Sequence, residues 1–254
     1  MEKIHIEITL NSRMPIELPI HYNHIIQAAI LNSLDHDLAK FLHDIGYSFE
    51  ERVFKMYTFS RLNGSFYLDK QQGKIIFNNK LKLIISSPLD RFCQSFANIL
   101  LTRGKMTLGN NEVEIEKVTV TRHEVIGERI MVKTLSPVVV YSTLYKADGH
   151  KYTCYFQPGE PDYNSLIEQN LRKKYVALYG EEPAEGKVEV LAQGRTKLNI
   201  VKYKGIIIKG YSGKLQLEGP KELLQVGIDA GIGSKNSQGF GCLELIGEGG
   251  EGRC

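Results

Sequence analysis

Strand-like and helix-like patterns follow one another in the same order twice along this chain. In residues 1–122 the order is strand, helix, two strands, helix and strand, and a similar order occupies residues 129–247. This order is the βαββαβ plan of a ferredoxin-like domain. The sequence therefore predicts an α+β protein of two tandem ferredoxin-like domains, with residues 248–254 as a disordered tail.

The elements of the first half are predicted from two periodicities. Strands alternate apolar and polar residues, whereas helices place apolar residues three and four positions apart. Asn23 is expected to cap the first helix, and residues 53–62 are expected to form one continuous strand. The predicted strands are 3–10, 53–62, 66–68, 74–86 and 113–120, and the predicted helices are 24–34, 37–43 and 88–101.

The second half contains one long predicted helix, at 161–179, and a short one at 220–226. Arg172, Lys173 and Lys174 form a basic cluster on the long helix, and we expect this cluster to face solvent. The predicted strands are 129–145, which is broken at Ser136 and Pro137, and 187–193, 197–203, 205–218 and 243–246.

Composition excludes several classes of protein. The net charge of +3 means that a nucleic-acid role would depend on local basic patches. The four cysteines include no CxxC pair, and no histidine and carboxylate spacing indicates a metal site, so neither a metal nor another cofactor is expected. We find no signal-peptide core and no membrane-spanning run, which predicts a soluble, cytoplasmic protein.

Residues 227–241 (GIDAGIGSKNSQGFG) are dense in glycine and contain one lysine. Glycine allows positive φ angles and lets the backbone approach another surface closely. Successive exposed N–H groups can then form a concavity that suits an anion such as phosphate. A flexible turn between a helix and a strand is the alternative interpretation.

Residues 190–217 carry six cationic side chains and no Asp or Glu. On a strand, part of this set would share one sheet face and could follow a phosphate backbone. A solvated sheet face is the alternative. The six cations are Arg195, Lys197, Lys202, Lys204, Lys209 and Lys214.

His43 is followed closely by Tyr47, Arg52 and Lys55, which combines a general acid or base with nearby cations. RNA suits such a group because its own 2′-OH is the nucleophile. Cleavage then needs a base, an acid and positive charge on the phosphorane, and it needs no metal. A capping or packing histidine is the alternative.

The string GIGSKNSQGFG at 231–241 resembles the C-terminal glycine-rich signature of the CRISPR-associated repeat-processing endoribonucleases. Further similarity at 41–44, 134–140 and 173–180 extends the resemblance over nearly the whole chain. The resemblance implies metal-independent cleavage of CRISPR repeat RNA in precursor transcripts, leaving 2′,3′-cyclic phosphate and 5′-OH ends. The alternative is a non-catalytic RNA-binding subunit of a CRISPR effector complex, which would not need the residues from His43 to Lys55.

The resemblance also implies roles for individual residues. His43 would be the general acid or base, and Lys55, or failing it Arg52, would stabilise the phosphorane. Leu31 stands where some members have a tyrosine, so Tyr47 is expected to substitute, and His36 or His24 would supply a second proton-transfer group. Effector subunits and a second copy of the chain are further candidate partners. The expected RNA-binding residues are Arg52, Arg195, Lys197, Lys202, Lys204, Gly231, Gly233, Ser234, Lys235, Asn236, Ser237, Gly239, Phe240 and Gly241.

Overall fold

The computed structural model describes residues 4–145 and 148–246, so the predicted tail at 248–254 lies outside the described residues. The helices of the first half are α1 (Asn23–Leu31), α2 (His36–Lys40) and α3 (Asp90–Arg103), and a π-helical turn (Phe41–Ile45) continues α2. Its strands are β1 (Ile4–Asn11), β2 (Ile16–Pro19), β3 (Tyr47–Phe49), β4 (Arg52–Phe54), β5 (Thr58–Phe59), β6 (Phe66–Asp69), β7 (Lys74–Phe77), β8 (Lys80–Ser87), β9 (Lys105–Leu108) and β10 (Asn111–Arg122).

The second half continues with two helices, α4 (Pro161–Tyr179) and α5 (Lys221–Ala230), and with a short 3₁₀ turn (Asn236–Gln238). Its strands are β11 (Arg129–Thr134), β12 (Val140–Tyr145), β13 (Lys151–Phe156), β14 (Glu189–Tyr203), β15 (Ile206–Glu218) and β16 (Leu243–Ile246).

The two largest sheets share one topology. Their strand orders are β5-β8-β1-β10-β9 and β14-β15-β11-β16, and all neighbouring strands are antiparallel. Each βαββαβ unit has four strands: β1, β5, β8 and β10 in the first half, and β11, β14, β15 and β16 in the second. In each sheet the first of the four lies between the third and the fourth, and the second lies beyond the third. This is the ferredoxin-like arrangement, so the predicted fold class is confirmed.

Each half buries its own apolar core. In the first half the alternation along β1 turns Ile6, Ile8 and Leu10 inward, where each is at most 1% exposed. In the second half Tyr163 and Ile167 lie one helical turn apart on α4 and are both fully buried. Burial of each such side chain contributes about 1.5–3 kcal/mol to folding.

The predicted strand at 53–62 is wrong, because the backbone is not extended at Met56, where φ is 53°, and two separate strands flank this residue. β4 pairs with β3 in a small hairpin, whereas β5 joins the first large sheet. Met56 belongs to the core of the second half, and Phe59 belongs to the core of the first. The alternation therefore reflected burial in two different cores and not one continuous strand.

Two local predictions around helix ends are also corrected. Tyr22 occupies the N-cap position of α1 and makes no side-chain cap hydrogen bond, and Asn23 is the first helical residue. Helix α5 extends to Ala230, so Gly227 lies inside the helix and not in the loop. A Cβ at Gly227 would lie 2.9 Å from Ile232 Cγ2, which explains the need for glycine there.

Strands β2, β3, β9 and β13 were not predicted from the sequence. The first is only four residues long and ends at Pro19, and the second is only three residues long. No helix among the described residues is long and apolar enough to cross a membrane.

Stability should fall as pH decreases from about 6.5 to 4 because of His5. This side chain is buried, its ring centre lies 4.6 Å from that of His123, and burial lowers the pKa of His5 to about 4. Between these pH values the unfolded chain binds the proton and the folded chain does not, which costs about 3 kcal/mol in total. Urea denaturation at pH 7, 5.5 and 4.5 should show a smaller pH dependence for His5→Gln.

The exposed His150 provides the control, since His150→Gln should keep the wild-type pH dependence. An unchanged pH dependence in His5→Gln would refute this account of His5.

Candidate functional site

The glycine-rich loop between α5 and β16 is built around a buried lysine. Lys174 on α4 is 2% exposed, and its ammonium donates hydrogen bonds to Gly231 O at 2.6 Å, Gly233 O at 3.2 Å and Asn236 Oδ1 at 2.7 Å. An ammonium has three donors, and each finds an oxygen here. Burial lowers the pKa of Lys174 to about 7, while the three oxygen acceptors favour the charged form.

The expectation that Lys174 faces solvent is therefore wrong. Lys174 follows Leu171 by three residues and Ile167 by seven, which places it on the buried face of α4. The helical spacing contained this information, but the residue type and its two basic neighbours suggested a solvated cluster.

The side chain of Asn236 lies inside the loop and connects its two ends by hydrogen bonds. Its side-chain amide donates to Ile232 O and Phe240 O, each at 3.0 Å, while its oxygen accepts from Lys174. The backbone must pass very close at Gly241, where φ is 72° and a Cβ would lie 2.0 Å from Ile232 O. Only glycine fits that position.

The loop docks against the first half of the chain. Thr58 Oγ1 donates to Phe240 O at 2.9 Å, and the Asn23 amide donates to Gln238 O at 2.8 Å and Gly239 O at 3.2 Å. A Cβ at Gly239 would lie 2.5 Å from the Phe59 ring. Asn23 and Thr58 are thus positioning residues for the loop, and no local sequence pattern identified them.

This packing divides the predicted RNA-binding residues of the loop into two groups. Gly231, Gly233, Asn236, Gly239, Phe240 and Gly241 are buried against protein and set the loop's shape. Ser234, Lys235 and Ser237 are half-buried and remain accessible. That all nine contact RNA stays a prediction, and side-chain exposure supports it only for Ser234, Lys235 and Ser237.

A cavity of about 330 Å³ lies in front of the accessible part of the loop. The first half contributes Arg52 and Lys55, α4 contributes Lys173, and the loop contributes Lys235. Lys173 forms an ion pair with Glu50, and none of the described residues that line the cavity is acidic. The cavity therefore offers several cations to an anionic ligand, drawn from both halves of the chain.

His43 lies on a neighbouring surface, on the π-helical turn after α2. This side chain is 71% exposed, and its Nδ1 lies 2.7 Å from Asp44 Oδ1. The hydrogen bond from His43 holds the pKa of the Asp44 carboxyl below its usual range. A groove of about 390 Å³ beside α1 is lined by His43, His36 and Leu31, among others.

Lys55 contacts both the segment that carries His43 and the loop cavity. Its Nζ donates to the backbone oxygen of His43 at 2.9 Å, and its side chain also lines the loop cavity. Burial lowers the pKa of Lys55, and the nearby Asp44 carboxylate opposes this. The structure thus brings His43, Arg52 and Lys55 close to the loop, which is about 180 residues away in sequence.

Tyr47 is placed differently from the sequence-based expectation. Its ring packs edge-on against Phe41 with centres 5.5 Å apart, and it contacts both apolar cores. Burial raises the pKa of its hydroxyl. Tyr47 lines neither the cavity nor the groove, so its described contacts fit a packing residue and give no support to a catalytic role.

The histidines proposed for a second proton transfer are separated by the fold. His36 shares the groove with His43. His24 instead lies beside Tyr203, with ring centres 6.4 Å apart. The position of His36 in this groove therefore favours His36 over His24 as the second proton-transfer group.

The basic run of β14 and β15 does not form one surface. Arg195, Lys197 and Lys214 line a shallow depression together with Lys133. Lys202 lies near His21 of the first half. Burial is the largest cause of the lowered pKa of His21, and the positive charge of Lys202 is the second.

The remaining part of this run surrounds the hairpin turn. Lys204 occupies the turn with φ 45°. Tyr203 is 7% exposed and its hydroxyl donates to Gln27, so this ring is not available for stacking. Among the described residues, no group of three or more His, Cys, Asp or Glu side chains could hold a metal ion.

The family model described as CRISPR associated protein Cas6, C-terminal, matches residues 116–245. CRISPR-associated endoribonuclease Cas6 1 of Methanocaldococcus jannaschii is 28% identical over 246 residues, which cover 95% of this chain and 92% of the relative. CRISPR-associated endoribonuclease Cas6 of Pyrococcus furiosus is 25% identical over 244 residues, covering 91% and 84%.

A solved structure of a CRISPR associated protein Cas6 superposes with a TM-score of 0.78 at 26% identity, and the match covers 97% of this chain and all of that one. The chain belongs to the Cas6 family of CRISPR-associated proteins, which confirms the resemblance seen in the glycine-rich string.

Substituting Lys174 should loosen the loop and destabilise the protein. Lys174→Met leaves buried oxygens of Gly231, Gly233 and Asn236 without a donor, and we expect a loss of about 3 kcal/mol in the free energy of unfolding. Urea denaturation measures this loss. Lys173→Met is the matched control, because the neighbouring lysine forms only a partly exposed ion pair and should cost about 1 kcal/mol or less. Equal stability of the two variants would contradict the proposed anchor.

Proposed function

We propose that this protein is a metal-independent endoribonuclease that cleaves CRISPR repeat RNA in precursor transcripts to give guide RNAs. The observation that carries the proposal is the position of Lys55, which contacts the backbone of His43 and also lines the cation-rich loop cavity. A phosphate backbone held in the cavity would therefore run past an exposed imidazole. The two relatives described above are named as CRISPR-associated endoribonucleases, which supports the same activity here.

The contacts of His43 suit a general base. Asp44 accepts from Nδ1–H, and this tautomer leaves the lone pair of Nε2 free to take a proton. The 2′-OH of the RNA would lose its proton to Nε2, and the 2′-oxygen would attack the adjacent phosphorus. The bond to the 5′-oxygen then breaks, leaving a 2′,3′-cyclic phosphate and, once that oxygen is protonated, a 5′-OH. The RNA supplies the nucleophile, so the reaction needs no metal.

Other residues of the site would assist this step. Lys55 and Arg52 place positive charge beside the phosphorane, where charge develops in the transition state. His36, in the same groove as His43, is the residue that we assign to protonating the 5′-oxygen. Ser234, Lys235 and Ser237 hold the RNA backbone at the loop, so that much of the rate comes from positioning.

Replacing His43 should separate cleavage from binding. In EDTA, His43→Ala should cleave labelled repeat RNA about 100-fold or more slowly, because the general base is lost. Its affinity for the same RNA should change little, since the side chain is exposed and outside the loop cavity. Gel analysis of cleavage and a filter-binding assay measure the two quantities.

His24→Ala serves as the control, because His24 lies outside the groove and its loss should leave cleavage near the wild-type rate. Undiminished cleavage by His43→Ala would contradict the assignment of the base. Tight binding without cleavage by the wild-type chain would favour the non-catalytic subunit of an effector complex.

A further inference from the structure

One face of the hairpin formed by β12 and β13 carries three tyrosines. The cross-strand pairs Tyr141–Tyr155, Thr143–Thr153 and Tyr145–Lys151 follow one another at every second residue, so all six side chains share that face. None of the six is acidic. We call this face the tyrosine platform, after Tyr141, Tyr145 and Tyr155.

Two lysines lie beside rings of the platform. Lys151 Nζ is 5.5 Å from the centre of the Tyr145 ring, and Lys235 Nζ is 5.4 Å from the centre of the Tyr141 ring. Tyr145 is 66% exposed, so folding leaves most of this large ring in water. Exposed rings flanked by cations are the groups that hold nucleic-acid bases and their phosphates.

The platform continues the loop cavity. Tyr141 lines that cavity together with Lys235, and Tyr145 lies four residues farther along the same strand, which is about 13 Å. At the root of the hairpin the Tyr155 hydroxyl donates to Ile207 O at 3.0 Å. This bond ties the hairpin to β15, so the platform has a fixed direction away from the cavity.

We propose that the tyrosine platform binds unpaired nucleotides of the RNA substrate, with a base stacked on Tyr145 and a phosphate contacted by Lys151. This inference rests on the proposed function, because it extends the RNA path that begins in the loop cavity. Stacking on a ring needs an exposed base face, which a duplex does not offer. The platform therefore selects single-stranded RNA, and it tolerates different base sequences.

The absence of tryptophan from the sequence allows a direct test. Tyr145→Trp places the sole tryptophan of the chain on the platform. Unpaired repeat RNA should quench its emission, and the same RNA annealed to its complement should not. Tyr67→Trp is the matched control, since Tyr67 is similarly exposed at 59% but lies on β6 of the first half, and its emission should not change.

Affinity gives a second readout. Tyr145→Leu should bind unpaired RNA about fivefold or more weakly than the wild-type chain, whereas Tyr145→Trp should bind it equally well because stacking is retained. Unchanged affinity of Tyr145→Leu, or equal quenching by duplex RNA, would overturn the platform while leaving RNA cleavage at His43 intact. Failure of the wild-type chain to bind or cleave RNA would overturn both proposals.

Discussion

A buried ammonium determines the shape of the functional surface. Lys174 is enclosed by protein, and burying a charge costs several kcal/mol unless its donors are satisfied. Three oxygens of the glycine-rich loop satisfy them, so the lysine and the loop are ordered together. The loop in turn docks on Thr58 and Asn23 of the first half. The position of the accessible loop residues therefore depends on a contact within the second half and on a second contact between the halves.

In the proposed mechanism, this arrangement separates holding the RNA from cutting it. The loop presents Lys235 to a cavity that also receives Arg52 from the first half. His43 is exposed on the adjacent groove, and Lys55 contacts both places. The proposed binding cavity thus draws on both halves of the chain, the proposed base lies on the first half, and Lys55 contacts both places. Because Lys55 contacts the His43 backbone directly, a change in how the halves pack would move the imidazole relative to a phosphate held in the cavity.

Much of the fold could be predicted from the sequence, because the order of the two periodicities identifies each βαββαβ unit. The prediction failed where one segment serves two cores, as at Met56 between β4 and β5. At the site, the glycine-rich string and the segment from His43 to Lys55 were identified by resemblance. The contacts of Asn23 with Gln238 and Gly239 were not, since these residues lie far apart in sequence. The packing of Tyr47 against both cores was also missed. Helical spacing alone placed Lys174 on an apolar face, but its charge outweighed that signal.

The central claim, that the loop binds RNA and His43 cleaves it, is tested most directly by Lys235→Gln. Its dissociation constant for repeat RNA and its single-turnover cleavage rate at saturating protein should be measured in EDTA over a range of salt concentrations. We predict weaker binding with a salt dependence reduced by about 0.7 in the logarithmic slope, as expected for one lost phosphate contact to a single strand, and an unchanged rate at saturation. Unchanged binding with a lower saturating rate would contradict the account, since it would place Lys235 in the chemical step.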